Sequence, residues 1–208
     1  MNAIFTQCNF FSAVSNCWSF DLLRPAIGAL VRKKVRMSKI RVFWDMDGTL
    51  AKWRSSATFS DLYKKGYFAS LEPETALCKL ANKLFKRSEL ENYILTSFLT
   101  DSAYAKDEKL QWLKDNMPDL KLENVICVPY GIKKSSFVED TSHKELSEKD
   151  ILIDDHSPNL ISWENAGGKS VKWINGVNNS GKSTYSGTRI NDAFQIEHIL
   201  DSLLYGIK

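Results

Sequence analysis

Two aspartates one residue apart, Asp45 and Asp47, close the hydrophobic run Ile40-Arg41-Val42-Phe43-Trp44 and precede a Gly48-Thr49 turn. A run of this kind reads as a buried strand, and open α/β sheets bind ligands at the C-terminal ends of their strands. A carboxylate held there can attack phosphorus or act as a hard oxygen ligand for Mg²⁺. Asp47, just past the strand end, could reach the same substrate as a proton donor. Two like charges so close favour one ionised and one protonated carboxyl unless a cation intervenes.

A second hydrophobic run, Asp150-Ile151-Leu152-Ile153, ends in the adjacent acids Asp154 and Asp155. Such a pair can complete an oxygen cage for Mg²⁺, although either acid could instead cap the helix that Ser157-Pro158 opens. Thr96 and Ser97 follow Tyr93-Ile94-Leu95, where hydroxyls and backbone N–H groups at a strand-to-helix turn suit a phosphate oxygen. Lys133 and Lys134 come shortly after Gly131, and a lysine there could neutralise phosphate. Taken singly, each of these residues also has a plain structural explanation. Taken together, they ask for one sheet edge that gathers them.

The spacing of apolar residues supplies that edge. Strands are expected at 40–45, 93–97, 124–128, 150–155 and 171–174. Helices are expected at 74–87, where Ala76, Leu77, Leu80, Ala81, Leu84 and Phe85 recur at helical spacing, and from Asp101, as the cap, to about Asn116. Two more follow, one opening at Ser157-Pro158 and closing at Gly167-Gly168, and one starting at Asn191 with Ala193, Phe194, Ile196, Ile199, Leu200, Leu203 and Leu204 as its inner face. Residues 139–149 read as a loop or short helix. Strands alternating with helices imply βαβ units and a mostly parallel sheet.

As a set, Asp45-x-Asp47-Gly48-Thr49-Leu50, Thr96, Lys134 and Asp154-Asp155 resemble the four motifs of the haloacid dehalogenase (HAD) phosphohydrolase superfamily. More narrowly, Val128-Pro129-Tyr130-Gly131, Asp154-Asp155-His156-Ser157-Pro158-Asn159 and Lys172-Trp173-Ile174-Asn175-Gly176 are similar to the 5′(3′)-deoxyribonucleotidase (cytosolic type C 5′-nucleotidase) family. The resemblance implies a Rossmann-like α/β domain over residues 37–208. It would hold a parallel five-stranded sheet in the order 5-4-1-2-3 and a small helical cap at about 51–90. It implies Asp45 as nucleophile, Asp47 as general acid and base, and Thr96, Ser97 and Lys134 as phosphate ligands. Mg²⁺ would be held by Asp45, the Asp47 backbone carbonyl and one of Asp154 and Asp155. Lys133 stands as the alternative to Lys134. The expected substrate is a (deoxy)nucleoside 5′-monophosphate, the alternatives being another small phosphate ester or a nucleotide-binding, regulatory module with a vestigial site, and the resemblance leaves a homodimer open. Trp53, Phe59, Tyr63, Tyr67, Phe68 and Phe98 include candidates for a wall that stacks a base, most of them being expected to pack the cap.

Composition narrows the alternatives. The 208 residues carry a formal net charge of +3, but residues 1–36 hold five basic residues against Asp21 alone. The body is therefore near neutral, without the field that a nucleic-acid polymer or an anionic membrane attracts. Cys8, Cys17, Cys78 and Cys127 show no metal or disulfide spacing, which suits the reducing cytosol. Residues 1–36 are expected to lie outside the fold, with Met37 as the start. His143, His156 and His198 are too dispersed for a metal triad. Gly176-Val177-Asn178-Asn179-Ser180-Gly181-Lys182-Ser183 fits the Walker A pattern letter for letter, but Ser183-Thr184-Tyr185-Ser186-Gly187 is poor in helix formers, so a flexible loop is the expectation.

Overall fold

The computed structural model describes residues 39–178 and 185–206. The N-terminal stretch 1–36 and most of the Walker-like segment lie outside the described residues. Six strands form one sheet: β1 (Ile40–Trp44), β2 (Leu90–Phe98), β3 (Val125–Pro129), β4 (Asp150–Asp154), β5 (Lys169–Trp173) and β6 (Thr188–Ile190). Five α-helices flank them: α1 (Thr75–Phe85), α2 (Ala105–Asn116), α3 (Lys134–Ser142), α4 (Ser157–Asn165) and α5 (Ala193–Tyr205). The sheet order is β3-β2-β1-β4-β5-β6, and every neighbouring pair is parallel. The five-strand order implied by the resemblance holds, and β6 extends it beside β5. That strand has three residues, two of them exposed, too short for any alternation to register. None of the described helices is long and apolar enough to cross a membrane.

Strand β1 is central because it is apolar on both faces, as a strand covered by helices on each side must be. Val42 and Trp44 join the core built with α1, α2 and α5, while Phe43 joins Leu152, Leu160 and Trp163 on the opposite face. The C-terminal ends of β1 and β4 are thereby neighbours, with Trp44 paired to Ile153. Asp45 N donates to Ile153 O at 2.9 Å, so the ladder runs right up to the acids.

Four expectations change. Helix α1 packs on β2 and α5 and so belongs to the body, leaving residues 52–72 as the segment that an expected cap could occupy. That cap holds a single short 3-10 helix, Phe59–Tyr63. Helix α2 starts at Ala105, where Ser102 Oγ accepts from the N–H groups of Tyr104 and Ala105; Asp101 instead accepts from the Tyr63 hydroxyl. The third β-α connection forms α3 eight residues after Ile126, earlier than the polar stretch suggested, because packing on α4 overrides weak local propensity. Phe194, 79% exposed, and Leu203, also exposed, do not belong to the inner face of α5.

One buried polar group ties the layers together next to the acids. Asn92 on β2 accepts from Trp44 Nε1 at 3.2 Å and donates to Leu84 O at 2.9 Å, near the end of α1. Replacing it by alanine strands a buried indole N–H beside Asp45, which costs about 1–3 kcal/mol. Asn92→Ala should therefore lower the unfolding free energy by that amount, read as a lower chemical-denaturation midpoint with little change in slope, and an unchanged midpoint would show that the bridge contributes nothing.

Candidate active site

The turn after β1 is tight. Met46 O accepts from Thr49 N and Ala51 N, and Gly48 N donates to Ala51 O. Gly48 has φ +82°, and a Cβ there would sit 2.3 Å from Asp155 Oδ2. Glycine is thus required twice, once by the left-handed backbone and once by the approach of the second acidic strand end. The sequence Asp-Gly-Thr therefore shapes the turn so that β1 and β4 can bring their acids together.

Asp45, Asp154 and Asp155 are all buried, and one oxygen from each lies within 4.8 Å of the others. Buried carboxylates this close repel, and each is stripped of water. Burial, then the charge of Asp154, pushes Asp45 well above the usual carboxylate range against the opposing pull of Lys134. Burial and Asp154 likewise push Asp155 up to about 7. The donor set is all hard oxygen, the chemistry of an Mg²⁺ site.

Lys134, the first residue of α3, is 2% exposed and reaches into this cluster. Its Nζ donates to Asp45 Oδ1 and to Asp154 Oδ2, the latter at 2.7 Å. Burial by itself would lower its proton affinity, but Asp154 and Asp45 outweigh that and hold its charge above the ordinary lysine range. Lys133 is exposed and sits outside the helix as its N-cap.

The two acids of β4 differ in their partners. Asp154 accepts from Lys134 Nζ, from Asn159 Nδ2 at 2.9 Å and, through Oδ1, from His156 N at 2.7 Å. Both of its oxygens are occupied by protein donors. Asp155 uses Oδ2 for Asn175 Nδ2, at 2.7 Å, and for Asn178 Nδ2. Asn175 Nδ2 also donates to Gly48 O at 2.8 Å, stitching the loop after β5 to the turn after β1. Neither acid caps α4, whose N-cap is His156; Asp154 instead holds the N–H of that residue as the chain turns into the helix.

Asp47 and Thr96 meet a residue that the sequence reading passed over. Lys109 of α2 is 2% exposed, and its Nζ donates to Asp47 Oδ2, to Thr96 Oγ1 at 3.1 Å and to Ser97 O at 2.6 Å. The ring of Phe68, from the cap, lies 4.5 Å from the same nitrogen. A signal existed: Ala105, Lys109, Trp112 and Leu113 are the buried residues of α2, so the lysine occupies a place in its apolar stripe. Asp47 Oδ1, Thr49 Oγ1 and the Tyr67 hydroxyl are buried polar atoms without a hydrogen-bond partner among the described residues.

The aromatic residues divide. Tyr67 and Phe68 are buried, and Trp53 packs edge-on against Tyr67. Phe98 is half-buried under the ammonium of Lys106. Phe59 and Tyr130 are 56% and 64% exposed, with ring centroids 6.2 Å apart, and Tyr63 lies 5.7 Å from Phe59. Tyr130 N donates to Phe98 O, which puts this exposed aromatic surface at the C-terminal ends of β2 and β3, beside Ser97. A separate depression of about 370 Å³ lies among Arg54, Lys64, Lys65, Tyr67 and Ser70, and none of the clustered acids lines it.

No family model and no curated protein matches the chain. Solved structures do. The HAD hydrolase YfnB from Bacillus subtilis, bound to magnesium, superposes with a TM-score of 0.54 at 12% identity, covering 78% of this chain and 99% of that one. The D,D-heptose 1,7-bisphosphate phosphatase from B. bronchiseptica, complexed with magnesium and phosphate, gives 0.55 at 12% identity over 80% and 99%. A HAD-superfamily hydrolase from Ehrlichia chaffeensis gives 0.52 at 11% identity over 80% and 98%. At such identities the likeness is one of architecture: the chain has the Rossmann-like fold of HAD-superfamily hydrolases, with a buried aspartate cluster able to bind a metal ion at its sheet edge.

Proposed function

We propose that this chain is an Mg²⁺-dependent phosphomonoesterase that acts on (deoxy)nucleoside 5′-monophosphates through an aspartyl-phosphate. The observation that carries the reading is the cluster of Asp45, Asp154 and Asp155 within 4.8 Å, on the edge to which Asp47, Thr96 and Ser97 also belong. Asp45, the Asp47 backbone carbonyl and Asp155 would hold the ion. Asp154, with both oxygens already taken, would anchor Lys134 instead. Bound there, Mg²⁺ would neutralise the acids and draw charge from the phosphoryl oxygens.

The protein's own groups then divide the work. An Asp45 oxygen attacks phosphorus as the ester P–O bond breaks, and Asp47 gives its proton to the departing oxygen. Asp47, now ionised, takes a proton from water as that water attacks phosphorus and the P–O bond to Asp45 breaks. Lys134 uses two of its three N–H donors on Asp45 and Asp154, which leaves one for a phosphoryl oxygen. Thr96 and Ser97, at the end of β2, would hold the remaining oxygens.

The exposed rings of Phe59 and Tyr130 support a planar leaving group. Stacking on such a surface is worth about 1–3 kcal/mol per base. Phe59→Ala should raise KM for a nucleoside 5′-monophosphate about tenfold or more, while leaving KM for a sugar phosphate unchanged. Equal effects on both would remove the support for a nucleotide.

The chemistry itself is tested by Asp45→Asn, which should abolish turnover of an aryl phosphate in Mg²⁺ without loss of the folded circular-dichroism spectrum. Retained turnover would refute the assigned nucleophile, and EDTA should stop the unaltered protein.

The two acids of β4 are separable without any assay of activity. Mg²⁺ at 100 times its dissociation constant should stabilise the protein by about 2.7 kcal/mol, read as a higher melting temperature. Asp155→Asn should lose that rise yet melt no lower in metal-free buffer, because it removes one of three crowded charges. Asp154→Asn should destabilise the metal-free protein by about 3–5 kcal/mol, because it leaves the buried Lys134 short of a partner. The reverse pattern would exchange their roles.

A further inference from the structure

Lys109 is a second buried lysine at the site, and the phosphatase chemistry above leaves it without a task. Its ammonium is enclosed on every side that the described residues define. Asp47 Oδ2, Thr96 Oγ1 and Ser97 O accept its three N–H groups, and the Phe68 ring covers it at 4.5 Å. The cap residue that forms this cover is itself fixed from the same helix. Glu108, the neighbour of Lys109, accepts from Gly66 N and, at 3.1 Å, from Phe68 N. Consecutive residues of α2 therefore grip the cap and the Asp47 carboxyl.

The consequence for Asp47 is an asymmetry between its two oxygens. Oδ2 is taken by Lys109, whereas Oδ1 is buried with no partner among the described residues. A carboxyl pinned through one oxygen cannot rotate the other away from its target. We propose that Lys109 is a positioning residue for Asp47: by holding Oδ2 it presents Oδ1 as the oxygen that delivers the proton to the leaving group and takes one back from water. The inference rests on the phosphomonoesterase reading. It assigns Lys109 no contact with substrate. In the first step, a proton passes from Asp47 Oδ1 to the leaving oxygen as the ester P–O bond breaks. In the second, the attacking water returns a proton to Oδ1 as the Asp45–phosphoryl bond breaks. Lys109 keeps its own protons throughout.

A lysine that served only to balance charge or to fill the core would, on removal, slow every substrate alike. A positioning lysine would not, because good leaving groups depart without a proton. The test is single-turnover release of phenol from two aryl phosphates with saturating Mg²⁺, p-nitrophenyl phosphate with its better leaving group and phenyl phosphate with its poorer one. In Lys109→Gln, release from phenyl phosphate should fall about 10²-fold, in the range general acid catalysis supplies, with release from p-nitrophenyl phosphate within about threefold of the unaltered protein. KM for both should stay within about threefold. Lys109→Arg should recover most of the loss on phenyl phosphate, since a guanidinium can also donate to Oδ2.

An equal loss on both esters, or no loss on either, would overturn the proposal. Asp47→Asn combined with Lys109→Met removes both partners and leaves no unpaired buried charge, so it guards against a single variant that fails to fold. Compared with Asp47→Asn alone, the double variant should release phenol no more slowly; a further large loss would overturn the proposal. If the unaltered protein turns over neither ester, the phosphomonoesterase reading falls and this inference with it. An active protein with uniform losses rejects the inference alone.

Discussion

Packing four carboxylates and two lysines into a water-poor sheet edge is the constraint on which the rest of this structure depends. Unpaired buried charges cost several kcal/mol each, so every one of these groups needs an opposite charge or hydrogen-bond donors in place before the chain can close around it. Lys134 serves Asp45 and Asp154, Lys109 serves Asp47, and Asn175 with Asn178 supports Asp155. The parallel sheet makes this arrangement affordable, since consecutive strand ends lie side by side and deliver charges of both signs from different parts of the chain to one place. Helices on both faces then exclude water from the strands that carry them.

The two acids of β4 show how that compensation gives neighbouring residues different surroundings. Identical side chains, adjacent in sequence, differ only in what surrounds them. Asp154 points into a net of donors and is saturated, whereas Asp155 faces neutral amides and the turn of Gly48. The same contrast separates Lys133 from Lys134, where one residue of helical register takes a lysine from solvent into the core.

Much of this was legible in the sequence, and the parts that were not have physical reasons. Asp45, Asp47, Thr96, Lys134, Asp154 and Asp155 each end or follow a hydrophobic run, and runs of that kind fix which sheet edge a residue occupies. Strand order came from the resemblance and not from the runs, since a doubly wound sheet admits more than one order. Lys109 escaped because a lysine within a charged helix, among Lys106, Asp107 and Glu108, looks like solvated surface; only its register with Trp112 and Leu113 marks it as inward. The start of α3 escaped because its serines and threonines carry little helical preference, and its stability comes from α4. The limits of the cap escaped because α1 is amphipathic whichever body it belongs to, and periodicity does not name the surface that a helix faces.

The cap that remains has its two ends sewn together. Lys52 N donates to Glu72 O at 2.8 Å, Glu74 N donates to Leu50 O at 2.7 Å, and Ala51 bridges Pro73. A loop closed at its base like this has no pair of free hinges about which to swing as a rigid domain. Its tip is tied down separately, through the Glu108 carboxylate to Gly66 N and Phe68 N and through the Tyr63 hydroxyl to Asp101. A segment fastened at its base and again at its tip is held to the body from both ends, so loosening one end leaves the other in place.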